Sequence, residues 1–238
     1  MKVALYIPCY VDQLYPQVAI ATLELLEKLN VSIEYPATPP CCGQPMANAG
    51  FEHLTTTLGN SFKNCFKHYD YIVCPSGSCT LHLKEHVLPA AAKPQVWELT
   101  EFLTDILEVK TLSAYFPHKV GLHQSCHGLR GLMLAPMSER MEHGFSKPAT
   151  LLRMVGGLEL LPLSRTDECC GFGGTFCVTE EAVSVKMGQD RIDDHQQQGV
   201  EYITGGDMSC LMHLEGILKR QGSSIQVKHI AEILNTMA

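Results

Sequence analysis

Two adjacent cysteines followed by a glycine occur twice in the chain, as Cys41-Cys42-Gly43 and as Cys169-Cys170-Gly171, and each lies inside the same longer order of residues. The first copy runs from Lys2 to Cys9, then the pair, then Tyr69 to Cys79 with His82 three residues further on, then Val96 to Leu103. The second copy runs from Lys119 to Cys126, then the pair, then Val200 to Cys210 with His213 three residues on, then Val227 to Leu234. Corresponding positions are 117 residues apart at the first cysteine, 128 at the pair, and 131 at both the last cysteine and the closing segment. An offset that grows only across loops is what insertions in a duplicated unit produce. The chain is therefore expected to fold as two units, 1–115 and 116–238, joined near Ser113 to His118 where Pro117 sits.

Each unit has an α/β rhythm, with short Val/Ile/Tyr-rich runs alternating with longer amphipathic ones. The patterns predict strands at Val3 to Ile7, Ser32 to Tyr35, Tyr71 to Cys74, Val120 to His123, Leu158 to Leu161 and Tyr202 to Thr204. Helices are expected at Gln17 to Leu29, Leu54 to Lys67, Leu81 to Val87, Leu99 to Leu107, Glu180 to Gln198 and Leu211 to Gln221. In the first of these, Val18, Thr22, Leu25, Leu26 and Leu29 recur at helical spacing and form a core-facing stripe. The expected fold class is thus two duplicated α/β units with mainly parallel sheets, related by pseudo-two-fold symmetry. Cys9 and Cys126 follow strands, the pairs lie in Gly- and Pro-bearing loops, and Cys79 and Cys210 open helices. Open parallel sheets gather ligands at the carboxyl ends of their strands, so four cysteines of each unit are expected to converge there.

Composition narrows the chemistry. Eleven cysteines in a chain of this length call for an explanation. Disulfide frameworks belong mainly to small secreted domains, and the count is odd, so thiolate metal or redox chemistry in the cytoplasm is the expectation. A formal charge of −7 gives no basic footprint for nucleic acid. No apolar run reaches the roughly 18 residues of a membrane span. The start, with Lys2, an apolar run to Val11 and Ala19-Ile20-Ala21, loosely imitates a signal peptide, but Asp12 ends the run and cleavage would discard Cys9.

Successive side chains of a strand point to opposite faces, so Cys41 and Cys42 can share a site only from an irregular loop. Glycine after the pair tolerates positive φ and lets the backbone approach a bulky inorganic centre. The Gly171 to Gly174 stretch extends that permissiveness and is a weak match to a phosphate loop. The amino end of a helix favours anionic sulfur, which suits Cys79 and Cys210 for ligation. Cys65, Cys74 and Cys177 lack repeat counterparts and read as small core residues. Four thiolates per unit suit either an iron-sulfur cluster or a tetrahedral zinc ion. His82 and His213 share a helix face with the cysteine three residues before each, either as hydrogen-bond donors to the site or as partly exposed helix residues. His123 and His127 flank Cys126 without histidine counterparts beside Cys9.

The order cysteine, long gap, Cys-Cys-Gly, long gap, terminal cysteine, present twice, resembles the CCG-domain (cysteine-rich domain) family of iron-sulfur oxidoreductase subunits. That family includes the cysteine-rich subunit of heterodisulfide reductase and the iron-sulfur subunit of glycolate oxidase. The stretches CCGQPMANAGF, PSGSC, CCGFGGTF and DMSCLMH are most similar to its short, ferredoxin-free branch that serves lactate utilisation. The resemblance implies metal ligation by Cys9, Cys41, Cys42 and Cys79 in one site and by Cys126, Cys169, Cys170 and Cys210 in the other. It implies an iron-sulfur cluster, cubane [4Fe-4S] or noncubane, at least in the second site, and a cluster or zinc in the first. The fuller family pattern ends in CxxC; here Ser76 and Asp207 stand at the first cysteine of that pair, which makes Asp207 a candidate neighbour of the site. The implied function is electron transfer within a multi-protein L-lactate or 2-hydroxy-acid oxidation system. The implied partners are a ferredoxin-domain iron-sulfur subunit and a third small subunit, without which the chain would be inactive. No convincing flavin fingerprint is present. Direct reduction of a disulfide and a zinc-bound, non-redox scaffold are the competing readings.

Overall fold

A computed structural model describes residues 1–89, 93–140 and 145–237. The first half contributes strands β1 (Val3–Leu5), β2 (Ile33–Glu34), β3 (Tyr71–Cys74) and β4 (Gln95–Glu98). Its helices are α1 (Cys9–Leu14), α2 (Pro16–Lys28), α3 (Gln44–Asn48), α4 (Thr56–Phe66), α5 (Gly77–His82) and α6 (Leu99–Glu101). The second half contributes β5 (Lys119–Leu122), β6 (Glu159–Leu161), β7 (Tyr202–Gly205) and β8 (Gln226–His229). With them come α7 (Lys147–Leu152), α8 (Phe176–Thr179), α9 (Glu181–Gln197), α10 (Met208–Gln221) and α11 (Ile230–Leu234). No helix among the described residues is long and apolar enough to cross a membrane.

Each half forms one four-stranded sheet, in the orders β2-β1-β3-β4 and β6-β5-β7-β8. Every pairing is parallel, and Val3 opposite Tyr71 in the first sheet corresponds to Val120 opposite Tyr202 in the second. Parallel strands need crossover connections, and the helices that provide them cover the apolar strands. In both sheets the chain reverses its direction of winding beside the first strand. A crevice therefore opens beyond the carboxyl ends of β1 and β3, and of β5 and β7.

The expected strands and long helices are present, with shifts of a residue or so at their ends for β2 and α2. Strands β4 and β8, by contrast, are not among the expected strands: β4 stands directly before the helix expected at Leu99, and β8 lies in the closing segment of the second copy. Each is four residues long and runs straight into a helix through a capping box. Glu98 accepts from the Thr100 and Glu101 amides, and His229 Nδ1 accepts from the Ala231 amide. Cys9 follows β1, as expected, and opens α1.

A single core runs through both halves, from Val3, Leu5 and Leu25 to Ile192, Leu214 and Ile233. Packing between halves is reciprocal. Helix α11 lies on α2, and α6 lies on α7, each pairing the helix after a unit's last strand with the helix after the other unit's first strand. This exchange is the pseudo-two-fold relation. A second cluster, confined to the first unit, stacks Phe62 on Phe66 at 4.4 Å and sets Tyr6 edge-on to both. Burying each such side chain contributes about 1.5–3 kcal/mol. It also makes a dry floor beneath the first cysteine pair.

A candidate pair of metal centres

The loops beyond the carboxyl ends of the strands bring four cysteines together in each unit. In the first, Cys9 Sγ lies 3.9 Å from Cys41 Sγ, and the Cys42 thiol donates to Cys79 Sγ at 3.4 Å. Cys41 and Cys42 are in mutual hydrogen-bond contact, so the order of contact is Cys9, Cys41, Cys42, Cys79. In the second, Cys126 contacts Cys169, Cys169 contacts Cys170, and Cys170 contacts Cys210. All eleven cysteines are free thiols.

Backbone shape explains how neighbours in sequence can share one centre. Gly43 and Gly171 both have positive φ, +94° and +88°, a conformation that turns the chain immediately after each pair. The turn aims main-chain N–H groups at sulfur. The Gly171 amide donates to Cys169 Sγ at 3.4 Å, and the Phe172 amide to Cys170 Sγ at 3.5 Å. Cys79 and Cys210 are each the third residue of a helix, α5 and α10, at the end where amides are unpaired.

Crowded thiols share protons unequally. Cys41 is pulled toward the thiolate by hydrogen bonds from Cys42 and Cys9, with help from the Gly43 amide. Cys169 is pulled the same way by Cys126, then Cys170 and the Gly171 amide. The flanking thiols move in the opposite sense: Cys9 and Cys42 rise chiefly through their contact with Cys41, and Cys126 and Cys170 through theirs with Cys169. At Cys210 the hydrogen bond from Cys170 lowers the pKa, but burial and the charge of Asp207 outweigh it, and the net shift is upward. Helix position therefore does not by itself make Cys210 a thiolate. Four ionised sulfurs at these separations need a cation among them, and a coordinated metal deprotonates its thiol ligands outright. The donor set thus fits a thiophilic metal centre in each unit.

Burial differs around the two quartets. Cys42, Cys79, Cys170 and Cys210 are buried, whereas Cys9 is exposed and Cys41, Cys126 and Cys169 are partly so. One edge of each quartet therefore reaches the surface. Among the other thiols, Cys74 is buried at the end of β3 and points to the Ser76 carbonyl, while Cys177 donates to the Gly174 carbonyl at 3.1 Å. Cys65 lies on α4, packed against the cluster under the first quartet.

His82 is buried, with Nε2 unpartnered and close to the Gly43 turn. His213 is engaged instead by Ser184, 3.3 Å from its carbonyl. Asp207 is buried at the junction of the units, near enough to Cys210 for its charge to act on that thiol. Its oxygens accept from the hydroxyls of Tyr10, Ser76, Ser78 and Ser209 and from the Ser78 amide at 2.8–3.1 Å. A second link across the junction joins Gln44 Nε2 to His127 Nε2 at 3.3 Å.

Residues outside the cysteine repeat also surround the second quartet. A ring nitrogen of His123 and the Sγ atoms of Cys170 and Cys210 all lie within 4.8 Å of one another. Behind it, Arg191 is fully buried, paired with Asp194 at 3.3 Å and donating to His195 Nε2. In sequence these three residues have the spacing of a charged, solvated helix face.

The family described as "Cysteine-rich domain" (CCG) matches residues 3–84 and 120–215, one match in each unit. The chain is 39% identical to lactate utilization protein A of Exiguobacterium sp. (strain ATCC BAA-1283 / AT1b), over 98% of this chain and 97% of that one. It is 37% identical to lactate utilization protein A of Geobacillus sp. (strain WCH70), over 99% and 100% of the two chains. Among solved structures, a hypothetical protein from Helicobacter pylori shares the fold with a TM-score of 0.59 at 11% identity, covering 98% of this chain and 48% of that one. With two cysteine-turn units and relatives matching along the full length, the chain belongs to the cysteine-rich CCG-domain family.

Proposed function

We propose that the chain is an iron-sulfur electron-transfer subunit of a multi-protein system that oxidises L-lactate, or a close 2-hydroxy acid, in the cytoplasm. The observation that carries this reading is the meeting of four thiols at the carboxyl edge of each sheet, in a chain similar along its length to proteins named for lactate utilization. Cys9, Cys41, Cys42 and Cys79 hold one centre and Cys126, Cys169, Cys170 and Cys210 the other, one in each of the units 1–115 and 116–238. Four thiolates suit a cubane [4Fe-4S] cluster, with zinc the alternative occupant of the first site. When bound, such a centre supplies the capacity to take up and release single electrons.

The chain's own residues set the conditions for that transfer. Buried Cys42, Cys79, Cys170 and Cys210 keep water from the inner side of each centre. Amides of Gly171 and Phe172, donating to sulfur, stabilise added negative charge and raise the potential. Exposed Cys9 gives the first centre a short path to a docked partner. Substrate chemistry belongs to the partners, a ferredoxin-domain iron-sulfur subunit and a third small subunit, so the isolated chain does not oxidise lactate.

Anaerobically purified protein is expected to contain iron and acid-labile sulfide and to absorb broadly in the visible. Cys169→Ser and Cys41→Ser should each remove part of that iron. Zinc without iron or sulfide in the anaerobic protein would overturn the electron-transfer reading and favour a scaffold.

A further inference from the structure

The residue three positions before the first cysteine of each quartet is fully buried, polar and unpartnered, and it differs between the units. In the first unit it is Tyr6, 1% exposed, whose hydroxyl has no hydrogen-bond partner. In the second it is His123, 2% exposed, whose two ring nitrogens both lack one. A buried polar atom left without a partner keeps the full penalty of its lost hydration, so two such residues at equivalent places call for a common cause. Both face the same members of their quartets. The Tyr6 hydroxyl lies near the Cys42 and Cys79 sulfurs, and His123 has a ring nitrogen grouped with the equivalent Cys170 and Cys210 sulfurs.

We infer that His123 supplies a nitrogen ligand to the metal centre of the second quartet, where Tyr6 offers the first centre only a hydroxyl, so that the two sites hold chemically different centres. This deepens the reading of the quartets as metal sites and rests on it. Imidazole ligates through the lone pair of a neutral ring, and the buried His123 ring, neither of whose nitrogens has a partner, has such a lone pair to offer. Strand β5 ends at Leu122, so the ring hangs from the last stretch of backbone before Cys126 and enters from the side of the buried sulfurs. Two residues earlier on the same segment, Gly121 makes room for the His195 ring, since any Cβ there would meet His195 Nδ1. A tyrosine phenol, by contrast, can donate its proton to sulfur but stays a poor ligand while protonated.

The test uses full-length, anaerobically purified protein grown with ¹⁵N-histidine, and reads nitrogen coupling to the paramagnetic centre by pulsed EPR alongside iron, sulfide and zinc content. A direct ¹⁵N coupling is expected in the wild type and in Tyr6→Phe, retained in His213→Gln, and lost in His123→Phe with iron still bound. Iron and sulfide present with no direct histidine coupling would overturn the ligand assignment while leaving the cluster reading intact. If the protein carries zinc and no iron, the cluster reading fails separately. X-ray absorption at the zinc edge of a Cys41→Ser/Cys42→Ser variant, in which the second quartet alone is complete, then decides the ligand question: mixed sulfur and nitrogen supports His123, and four sulfurs refutes it. Protein that binds no metal at all overturns both.

Discussion

The glycines after the two cysteine pairs look interchangeable in sequence but stand in different surroundings, and alanine should tell them apart. Both have positive φ, so either substitution puts a Cβ into the left-handed region at a cost of about 1–2 kcal/mol. At Gly43 that Cβ would lie 3.2 Å from the Thr55 Cβ and 3.3 Å from its Cγ2, side-chain atoms that a small movement relieves. At Gly171 it would lie 2.5 Å from the Ser184 carbonyl oxygen and 2.8 Å from the Met187 Cβ, both on α9. Helix α9 carries buried Ile192 and Arg191 and cannot retreat without opening the core shared by the two halves, which adds the roughly 1–3 kcal/mol of an overpacked site. Gly171→Ala is therefore expected to destabilise by about 2–5 kcal/mol and Gly43→Ala by about 1–2 kcal/mol. Equilibrium urea unfolding of the reduced, metal-free proteins reads the difference as a change in midpoint at constant slope. Equal losses, or a larger loss at Gly43, would refute the reasoning that backbone crowding and not φ alone separates the two turns.

Two further outcomes follow from buried carboxylates. Removing the Asp207 acceptor strands the Ser78 amide and leaves hydroxyls to repartner, so Asp207→Ala should cost about 2–4 kcal/mol in the same unfolding assay, against about 1 kcal/mol for Asp207→Asn, which keeps an acceptor. Glu98 is fully buried, and burial lifts its pKa from 4.5 to about 7 despite hydrogen bonds from Thr100 and Glu101. Between those values the folded chain holds a proton that the unfolded chain has released, so its stabilising contribution is complete below pH 4.5 and is lost as pH rises through about 7. Linkage puts the loss at about 3 kcal/mol, and Glu98→Gln should flatten that part of the pH profile. An unchanged slope in the variant would assign the pH dependence elsewhere.

Much of this arrangement was legible because duplication aligns residues that single motifs do not. Cys9 with Cys126, and Cys79 with Cys210, stand at matching strand and helix ends, so their approach to the pairs could be expected from parallel-sheet topology alone. The strands β4 and β8 were not legible: four residues ending in Glu98 or His229 merge with the helix they cap, and histidine is an unusual cap. Arg191, Asp194 and His195 were hidden for a different reason. Charged residues spaced three and four apart on a helix read as a solvated face; it is the close approach of β5 at Gly121 to His195, and of the Ser164 and Arg165 backbone to Asp194 and Arg191, that buries them. The His123 signal was present, as the counterpart of Tyr6 three residues before each first cysteine, but a histidine matched to a tyrosine does not announce a shared position.

The junction at Ser76 and Asp207 bears on how such a chain could have arisen. These equivalent residues face each other across the approximate axis as an antiparallel bridge, and the Asp207 carboxylate enters the other unit to accept from Ser76 and Ser78. In a dimer of identical ancestors the same residue would meet itself there. Two aspartates would set unpaired carboxylates together in a dry interior, and two serines would leave the Ser78 amide without its anion. The present arrangement becomes available only once the two copies are free to diverge. After that step neither copy can be exchanged for the other, so the covalent join records a commitment that reversal to a homodimer would break.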